Sequence, residues 1–399
     1  MQKMELEEAQ SLLLADVVPV EGEEVSIDSL PLGRVLARPV TALVDQPPFP
    51  RSPVDGYALR AVDSVGATAE MPVILPVEGK LFAGDAPIGE AVRPGTAVRI
   101  MTGAPIPAGC DCVIPQEKTD CGEEKVALYR SVEPHQNYCF QGEDFQRGQV
   151  LVPEGYVLDP AAIGAAAGGG VERLTVRRRP RVMLIATGEE LARPGRSLAP
   201  GKIYNSNLYY LQSRLEQLGV EVLSAIQVGD ELEEIAAQIK AGAEQADLVL
   251  TTGGVSVGQR DLLPRAVALL GAEVLFHGLR LKPGSPALGA KLDGTPVLSL
   301  SGNPFAAAVT FELLARALLL VLQGRALPEW KTGRLDTGFP KGGPVRRFIR
   351  GRLENGVLTL PRDHSSGAIG SFVGCNCLGV LPAGPGPIPA GIEIPVLLL

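Results

Sequence analysis

The chain has 399 residues, of which 45% are hydrophobic and only 5% are aromatic. This length predicts two to four domains, with cores built mainly from aliphatic side chains. The formal net charge of −8 lacks the basic excess that is typical of nucleic-acid-binding proteins, so we expect no nucleic-acid partner. An anionic ligand would have to be bound by local positive groups.

We expect a cytoplasmic protein that does not contact a membrane. The first sixteen residues carry three glutamates where a secretory signal has positive charge and then an apolar run. The most apolar helix candidate, 305–323, contains Glu312 and Arg316, whose spacing suits an exposed ion pair on a soluble helix. The cysteines are expected to be reduced. We interpret the closely spaced pairs 110/112 and 375/377 as strand residues rather than zinc ligands.

The N-terminal half predicts a helix over 1–20 and then short β-rich runs from about 25 to 180, separated by proline and glycine turns. An alanine-rich helix at 160–168 and a linker at 176–180 end this part. The strands are expected near 97–101, 113–115, 125–132 and 149–152.

From residue 181 the pattern alternates regularly between apolar strands and amphipathic helices, which predicts a parallel sheet covered on both faces. Residues 328–399 return to short β segments and predict a small barrel or sandwich. The strands are expected at 181–187, 220–228, 247–252, 272–279 and 296–300. The helices are expected near 208–218, 232–239, 262–270 and 305–323.

The string Thr251–Asp261 (TTGGVSVGQRD) is the most informative motif in the chain. It follows the predicted strand 247–252, and glycine-rich loops after such strands let backbone amides approach bound phosphates. Asp261 would place a carboxylate beside those phosphates, where it can hold Mg²⁺. Because parallel sheets bind ligands at the carboxyl ends of their strands, we expect the site to include Thr187–Glu190, Gly229–Asp230, this loop, Lys282 and Ser301–Pro304.

Several strings resemble, in order, those of the molybdopterin molybdenumtransferases, a family related to a domain of gephyrin. The resemblance covers essentially the full chain. The matching strings are Ser52–Ala58 (SPVDGYA), Arg99–Pro105 (RIMTGAP), Gly109–Asp111 (GCD), Gly142–Asp144 (GED), Thr187–Leu191 (TGEEL), Ile203–Asn207 (IYNSN), the glycine loop and Lys282–Gly284 (KPG).

This resemblance implies a multidomain α/β and β protein. Its central doubly wound α/β domain, at 180–327, would bind the molybdopterin nucleotide. A β-rich domain would span 41–144, an elongated dimerisation region would combine 1–40 with 145–179, and a small β-barrel would span 328–399. The family also implies a homodimer, in which each active site lies between the α/β domain of one subunit and the β domain of the other.

The implied activity is molybdenum cofactor biosynthesis. Molybdate enters adenylylated molybdopterin, the phosphoanhydride is cleaved with Mg²⁺, and AMP and the molybdenum cofactor are released. Molybdopterin adenylyltransferase and cofactor-accepting molybdoenzymes are the expected partner proteins. The implied catalytic residues are Asp55, Thr102, Asp144, Glu190, Asp261 and Lys282. The implied metal ligands are Glu190, Asp230 and Asp261. The implied ligand-binding residues are Thr187, Gly188, Gly253, Gly254, Ser256, Gly258, Ser301, Gly302, Asn303, Arg350 and Ser371.

Several of these residues also have a purely structural interpretation. Asp230 with Glu233 resembles a capping box that opens a helix, and Asn303 followed by Pro304 is typical of a helix start. Asp55 can anchor a turn, Lys282 can be a solvated loop residue, and Arg350 can belong to a basic surface run with Arg346, Arg347 and Arg352.

The chain departs from the family at three places. Gly278 stands where a lysine is frequent, Ser301 stands where a proline is usual, and Tyr138–Phe140 replaces a segment that often carries arginines. We hypothesise that Arg280, two residues from Gly278 on one strand face, replaces the lysine. Two other functions stay open. A molybdopterin adenylyltransferase-like enzyme shares the glycine-loop α/β domain, although the β-rich regions argue against it, and the departures favour a non-catalytic pterin-nucleotide-binding scaffold. The choice between molybdate and tungstate also stays open.

Overall fold

A computed structural model describes residues 3–86, 88–256, 258 and 261–399. The chain divides into two compact units. The first comprises Met1–Glu23, Gly33–Val35 and Val176–Leu399, and the second comprises Glu24–Leu32 and Leu36–Thr175. The first unit therefore holds both the predicted α/β domain and the predicted C-terminal β-barrel.

The first unit contains a six-stranded sheet whose four consecutive parallel strands confirm the predicted α/β fold. Two antiparallel strands extend it at one edge, and one of them, Leu288–Leu292, was not predicted. The spatial order is Glu221–Val228, Arg181–Thr187, Leu248–Thr252, Thr295–Leu300, Leu288–Leu292 and Glu273–His277.

Helices cover both faces of this sheet, which explains why its central strands are apolar throughout. One core joins Leu184 and Leu250 to the helix Ser206–Gln217 and the long helix that begins at Pro304. The other core joins Ile185 and Val249 to helices on the opposite face. The helices of this unit are Leu6–Leu14, Ser206–Gln217, Leu232–Ala243, Leu263–Leu269, Pro304–Thr310 and Arg316–Leu322, with a π-helical turn at Phe311–Ala315 between the last two.

The long helix Pro304–Leu322 passes through the centre of the first unit. Among the residues that the structure describes, it is the one helix long and apolar enough to cross a membrane, but 89% of its apolar window is buried, as in the core helix of a soluble fold. The predicted ion pair between Glu312 and Arg316 forms, but the prediction that it is exposed is wrong. The Glu312 side chain is fully buried and binds Arg316 at 3.2 Å and Arg214 at 2.8 and 2.9 Å, because this helix is covered on several sides.

Residues after 330 form the predicted small β-barrel. Its sheet runs in the order Leu281–Lys282, Arg346–Glu354, Val357–Thr359, Lys331–Leu335, Glu393–Leu398 and Cys377–Leu381. The strand Arg346–Glu354 also pairs with Cys377–Leu381, which closes the barrel. A short 3₁₀ turn lies at Gly370–Phe372.

The second unit is built on a five-stranded sheet in the order Cys112–Pro115, Gly56–Leu59, Ala97–Ile100, Val73–Leu81 and Lys125–Leu128. The helix Pro160–Gly168 lies where the alanine-rich segment predicted it, and Asp159 caps it by accepting from Ala162 N at 2.8 Å. The short strands Val40–Thr41 and Val150–Val152 also pair in this unit. Its 3₁₀ turns are Ile27–Ser29, Ala61–Ser64 and Gln116–Lys118.

The predicted linker at 176–180 is partly wrong. A strand occupies Arg173–Arg177, and another occupies Gly22–Ser26. Arg178 is not a free linker residue, because its guanidinium binds the Asp247 carboxylate at 2.6 and 2.7 Å. The like-charged run was expected to discourage regular structure, but Asp247 compensates its charge.

Candidate active site

A cavity of about 650 Å³ opens at the carboxyl ends of the central parallel strands. The chain goes from Arg181–Thr187 to a neighbour on one side, Glu221–Val228, and then to Leu248–Thr252 on the other side. Such a reversal leaves a crevice between the two strand ends, where α/β sheets bind ligands. The cavity collects predicted site residues from three strand ends, namely Thr187, Glu190, Gly253, Gly254, Ser256, Asp261, Ser301, Gly302 and Asn303.

The first glycine of the loop is required by a close backbone approach. Gly253 has φ of +95°, and a Cβ atom at this position would lie 2.3 Å from the carbonyl oxygen of Thr187. Gly254 also has positive φ, and its Cβ would lie 3.1 Å from Thr187 Oγ1. The loop can therefore turn tightly over the neighbouring strand end only without side chains at these positions.

Thr187 brings an unused hydroxyl to this cavity. The residue is 3% exposed, and its Oγ1 has no hydrogen-bond partner within the described chain. A buried polar atom without a partner is costly unless a ligand or water satisfies it. This hydroxyl can therefore bind a polar ligand atom in the cavity.

Two carboxylates border the same cavity, and a glycine positions each of them. Asp261 Oδ2 accepts the Gly258 amide at 2.7 Å, and the Asp261 amide donates to Gly258 O at 3.0 Å. The Glu190 carboxylate folds against Gly188, where a Cβ atom would lie 2.7 Å from Oε2. Gly188 and Gly258, which were predicted to bind the ligand, contact these carboxylates but do not line the cavity. The other residues of the motif, at 257, 259 and 260, lie outside the described residues.

Asp230 does not join these two carboxylates at the cavity. It interacts with Glu189 through two long contacts between backbone and carboxylate, at 3.4 and 3.5 Å. The predicted capping box with Glu233 is wrong, because the helix begins at Leu232 with Glu231 at the N-cap and no side-chain cap. The strand before Asp230 is the outermost of the sheet, which explains the separation. No group of three or more acidic, His or Cys side chains that could hold a metal occurs among the described residues.

Asn207 organises the cavity, although the sequence analysis gave it no role. Its Nδ2 donates to Thr252 Oγ1 at 3.0 Å and to Gly302 O at 2.9 Å, and Thr252 Oγ1 donates to Ser301 O at 3.1 Å. This network ties together two strand ends and a helix start. The signal was the IYNSN string, whose first asparagine, Asn205, caps the helix through Leu208 N at 3.1 Å.

Two further residues support the loops around the cavity. His277 Nε2 lies 2.9 Å from Val255 O in the glycine loop, although no histidine was assigned a role from sequence. Asn303 occupies the N-cap position of the long helix as predicted, but its side chain makes no capping hydrogen bond and is exposed. The Asn303 amide group is therefore free to bind a ligand in the cavity.

Arg350 is not part of a basic surface run. Its side chain is buried over the Phe305 ring, with the guanidinium carbon 3.8 Å from the ring centre, and burial lowers its pKa. It donates to the carbonyls of Ser365 and Ala368, and Ser371 Oγ also donates to Ala368 O, at 3.0 Å. Residues 367 and 369 line the cavity, so Arg350 and Ser371 hold this loop from outside the cavity.

Lys282 and Arg280 do not line the cavity. Lys282 is exposed on the barrel strand, where it pairs in register with Arg347. Arg280 Nε binds Glu5 at 3.1 Å. The premise that Arg280 and Gly278 share a strand face is wrong, because the strand ends at His277 and Gly278 has φ of +98°.

The second unit brings together two of its three predicted catalytic residues. Asp55 Oδ1 accepts the Thr102 amide at 2.8 Å and the Thr102 hydroxyl at 2.7 Å, and these two donors lower the pKa of the Asp55 carboxyl. Asp144 lines a separate cavity of about 480 Å³ beside Phe145.

Comparisons with known proteins agree along the whole chain. Residues 4–170 match the MoeA N-terminal region (domain I and II), 183–320 match a probable molybdopterin binding domain, and 332–399 match the MoeA C-terminal region (domain IV). A molybdopterin molybdenumtransferase of Staphylococcus aureus (strain COL) is 35% identical over 373 residues, covering 92% of this chain and 89% of the relative. Molybdopterin molybdenumtransferase 2 of Mycobacterium tuberculosis (strain H37Rv) is 38% identical over 351 residues, covering 85% and 83%.

A solved structure supports the same relationship. The molybdopterin biosynthesis MoeA protein from Pyrococcus horikosii superimposes with a TM-score of 0.88 at 31% identity, covering 100% of this chain and 99% of that one.

Proposed function

This chain belongs to the molybdopterin molybdenumtransferase family, whose work is molybdenum cofactor biosynthesis, and we propose that it inserts molybdate into adenylylated molybdopterin, with Mg²⁺-dependent cleavage of the phosphoanhydride and release of AMP. The observation that carries the proposal is the cavity at the strand ends, where a glycine loop and two carboxylates meet. A nucleotide phosphoanhydride needs amide donors for its oxygens and carboxylates for its cation.

The donor set suits Mg²⁺ bound together with a substrate. Mg²⁺ usually keeps several waters and takes one or two protein carboxylates plus substrate phosphates. Glu190 and Asp261 would be those carboxylates, since both border the cavity. One oxygen of Asp261 is held by the Gly258 amide, and the other has no hydrogen-bond partner among the described residues. When bound, the ion would neutralise charge on the phosphoanhydride during cleavage. Asp230 is proposed to influence the bound Mg²⁺ indirectly, through water or through Glu189.

Different residues of the chain would bind different parts of the substrate. The Gly253–Gly254 backbone and the Thr187 hydroxyl would hold phosphate oxygens, and Asn207 would keep the loop ends in place. The start of the long helix at Ser301–Asn303 offers a positive dipole end to an anion. For molybdate, Lys282 remains the proposed charged group. Arg350 would act by positioning the 365–369 segment, because both of its terminal nitrogens bind carbonyls there and only its Nε has no partner among the described residues.

The test is AMP release from adenylylated molybdopterin with Mg²⁺, with and without molybdate. We expect molybdate-dependent release that Asp261→Asn lowers at least about 100-fold, since a positioned metal contributes several kcal/mol to phosphoryl chemistry. Asp336→Asn is the matched control, because Asp336 is exposed in the barrel and its side chain makes no hydrogen bond or ion pair with any residue that the structure describes.

Two other outcomes of this assay would refute the proposal. Tight nucleotide binding without release would favour a non-catalytic scaffold. Synthesis of adenylylated molybdopterin from ATP would favour the adenylyltransferase-like alternative. Replacing molybdate with tungstate in the same assay would identify the preferred oxyanion.

We also propose that the chain acts as a homodimer in the cytoplasm, with molybdopterin adenylyltransferase and molybdoenzymes as partners. Light scattering at micromolar concentration would test the dimer. A monomer that is fully active would contradict it.

Asp55, Thr102 and Asp144 are proposed to contribute to the reaction. Single alanine variants of these residues in the AMP-release assay would test this.

A further inference from the structure

A second cavity, of about 400 Å³, lies beside the candidate active site. It is bounded by the short strand Leu191–Ala192 and by the loop 193–202, which leads to the strand Ile203–Tyr204. Leu191 lines both cavities, so the two are neighbours in the first unit. The family motifs that frame this loop, TGEEL and IYNSN, give its interior no role.

The lining of this cavity is cationic. Arg193, Arg196 and Lys202 all contribute to it, and no acidic side chain does so among the described residues. Arg193 and Arg196 form no ion pair and no side-chain hydrogen bond with any described residue, whereas Arg181, Arg280 and Arg352, which are also exposed in this unit, each bind a carboxylate. The Lys202 ammonium contacts only the backbone carbonyl of Glu189, which leaves its charge uncompensated.

Backbone contacts keep this loop in a defined position. The Tyr204 hydroxyl donates to Arg196 O at 2.8 Å, and the Lys202 amide donates to Ala199 O at 3.1 Å. From the sheet side, Gln227 Nε2 donates to Leu191 O at 3.0 Å. The three cations are therefore carried by an ordered loop, in a chain whose net charge of −8 gives an anion no general attraction.

We propose that this cavity binds a tetrahedral dianionic oxyanion, either free or as the end group of a small molecule. Three cations without counter-ions repel each other, and a dianion relieves that repulsion while using the bidentate donors of two guanidinium groups. The Ser197 hydroxyl, also in the lining, can donate as well. Molybdate and a phosphate group share this chemistry. The proposal goes beyond molybdate insertion, because it depends only on this cavity and on no catalytic residue.

The cavity is larger than a single oxyanion. Leu191, Ala192 and Ala199 supply an apolar wall beside the cations. A phosphate monoester with a small organic body would use both surfaces, whereas free molybdate would use the cations alone. A cavity that prefers phosphate over molybdate would therefore fit a phosphate monoester, and a cavity that prefers molybdate would fit the free oxyanion.

The test is equilibrium dialysis of the whole chain against inorganic phosphate or sodium molybdate at low ionic strength, without nucleotide, with bound phosphorus or molybdenum quantified by elemental mass spectrometry. We expect the double variant Arg193→Gln/Arg196→Gln to lose one equivalent of bound oxyanion, or to bind it at least about tenfold more weakly, as expected for the loss of charge-assisted hydrogen bonds. Arg334→Gln is the matched control, because Arg334 is an exposed barrel arginine that forms no ion pair within the described part of the chain.

Loss of phosphate binding in the double variant would support a phosphate end group, and loss of molybdate binding alone would support a molybdate site. Equal binding by wild type, the double variant and the control would overturn the proposal, as would the absence of any bound oxyanion in wild type. Because the assay contains no nucleotide and measures no AMP, failure of the molybdenumtransferase proposal would leave this result unchanged.

Discussion

The buried ion-pair network in the long helix gives the sharpest stability prediction. The Glu312 side chain is fully buried, and Arg214, with 11% of its side chain exposed, donates to both of its oxygens. Arg316 adds one bond to Glu312 and a second to Leu398 O at 2.6 Å. Arg214→Met removes the bidentate partner while keeping an aliphatic stem of similar shape.

The expected cost is about 3–5 kcal/mol, because removing one member of a buried pair leaves the other charge poorly compensated. Arg316 keeps part of the compensation, so we expect the lower half of this range. A domain is typically stable by about 5–15 kcal/mol, so the variant should fold. With a urea m-value of roughly 1–3 kcal/mol/M, the midpoint should fall by about 1–4 M.

The measurement is urea unfolding followed by the fluorescence of Trp330, the chain's one tryptophan, which lies in the first unit. Arg352→Met is the control, since its pair with Glu354 is 57% and 61% exposed and should contribute less than about 1 kcal/mol. The triple variant Arg214→Met/Glu312→Met/Arg316→Met, which removes all three charges of the network, should recover much of the loss. Equal midpoint shifts for Arg214→Met and Arg352→Met would refute the reasoning.

Three further predictions concern the site residues. Gly253→Ala should lower stability and nucleotide affinity well beyond Gly271→Ala, since both have positive φ but only Gly253 meets a neighbouring carbonyl; equal melting temperatures would contradict this. Asn207→Ala should cost about 1–2 kcal/mol and weaken nucleotide binding, because two acceptors lose their donor; unchanged affinity by calorimetry would exclude a positioning role. Thr102→Val should raise the pKa of Asp55 in an NMR titration, because one of its two donors is lost. Since the pKa of Asp55 is lowered by folding, the stabilisation from this bond is present above its unfolded pKa and disappears as pH falls through the folded value, so wild type and Thr102→Val should become equally stable in acid.

The α/β part was predictable because its signals are local. A continuous apolar run placed the strand Arg181–Thr187 at its observed bounds, and in the second unit the alanine-rich composition did the same for the helix Pro160–Gly168. The glycine loop was also readable, since a tight turn after a buried strand demands glycine whatever surrounds it. The strand Leu288–Leu292 was missed because its short sequence, LGAKL, carries glycine and lysine and gives a weak pattern.

Errors arose where a side chain's partner is distant in sequence. The spacing of Glu312 and Arg316 indicated an exposed pair, but Arg214, about a hundred residues earlier, meets Glu312 in the interior. The sequence around Arg178 indicated a charged linker, but in the structure the Arg178 guanidinium binds the Asp247 carboxylate. Arg350 looked like a surface residue, yet it packs on Phe305.

By itself, the sequence determined the family, the parallel strands and the helices of the α/β part, and the set of residues able to bind phosphate and a cation. These follow from backbone geometry and from chemistry that each residue carries with it. Only the tertiary structure decided which members of that set share one cavity. It placed Glu190 with Asp261, left Asp230 at the outermost strand, and gave Asn207 its role. The reason is that strand order and loop path set distances between residues far apart in the chain, and no local pattern encodes those distances.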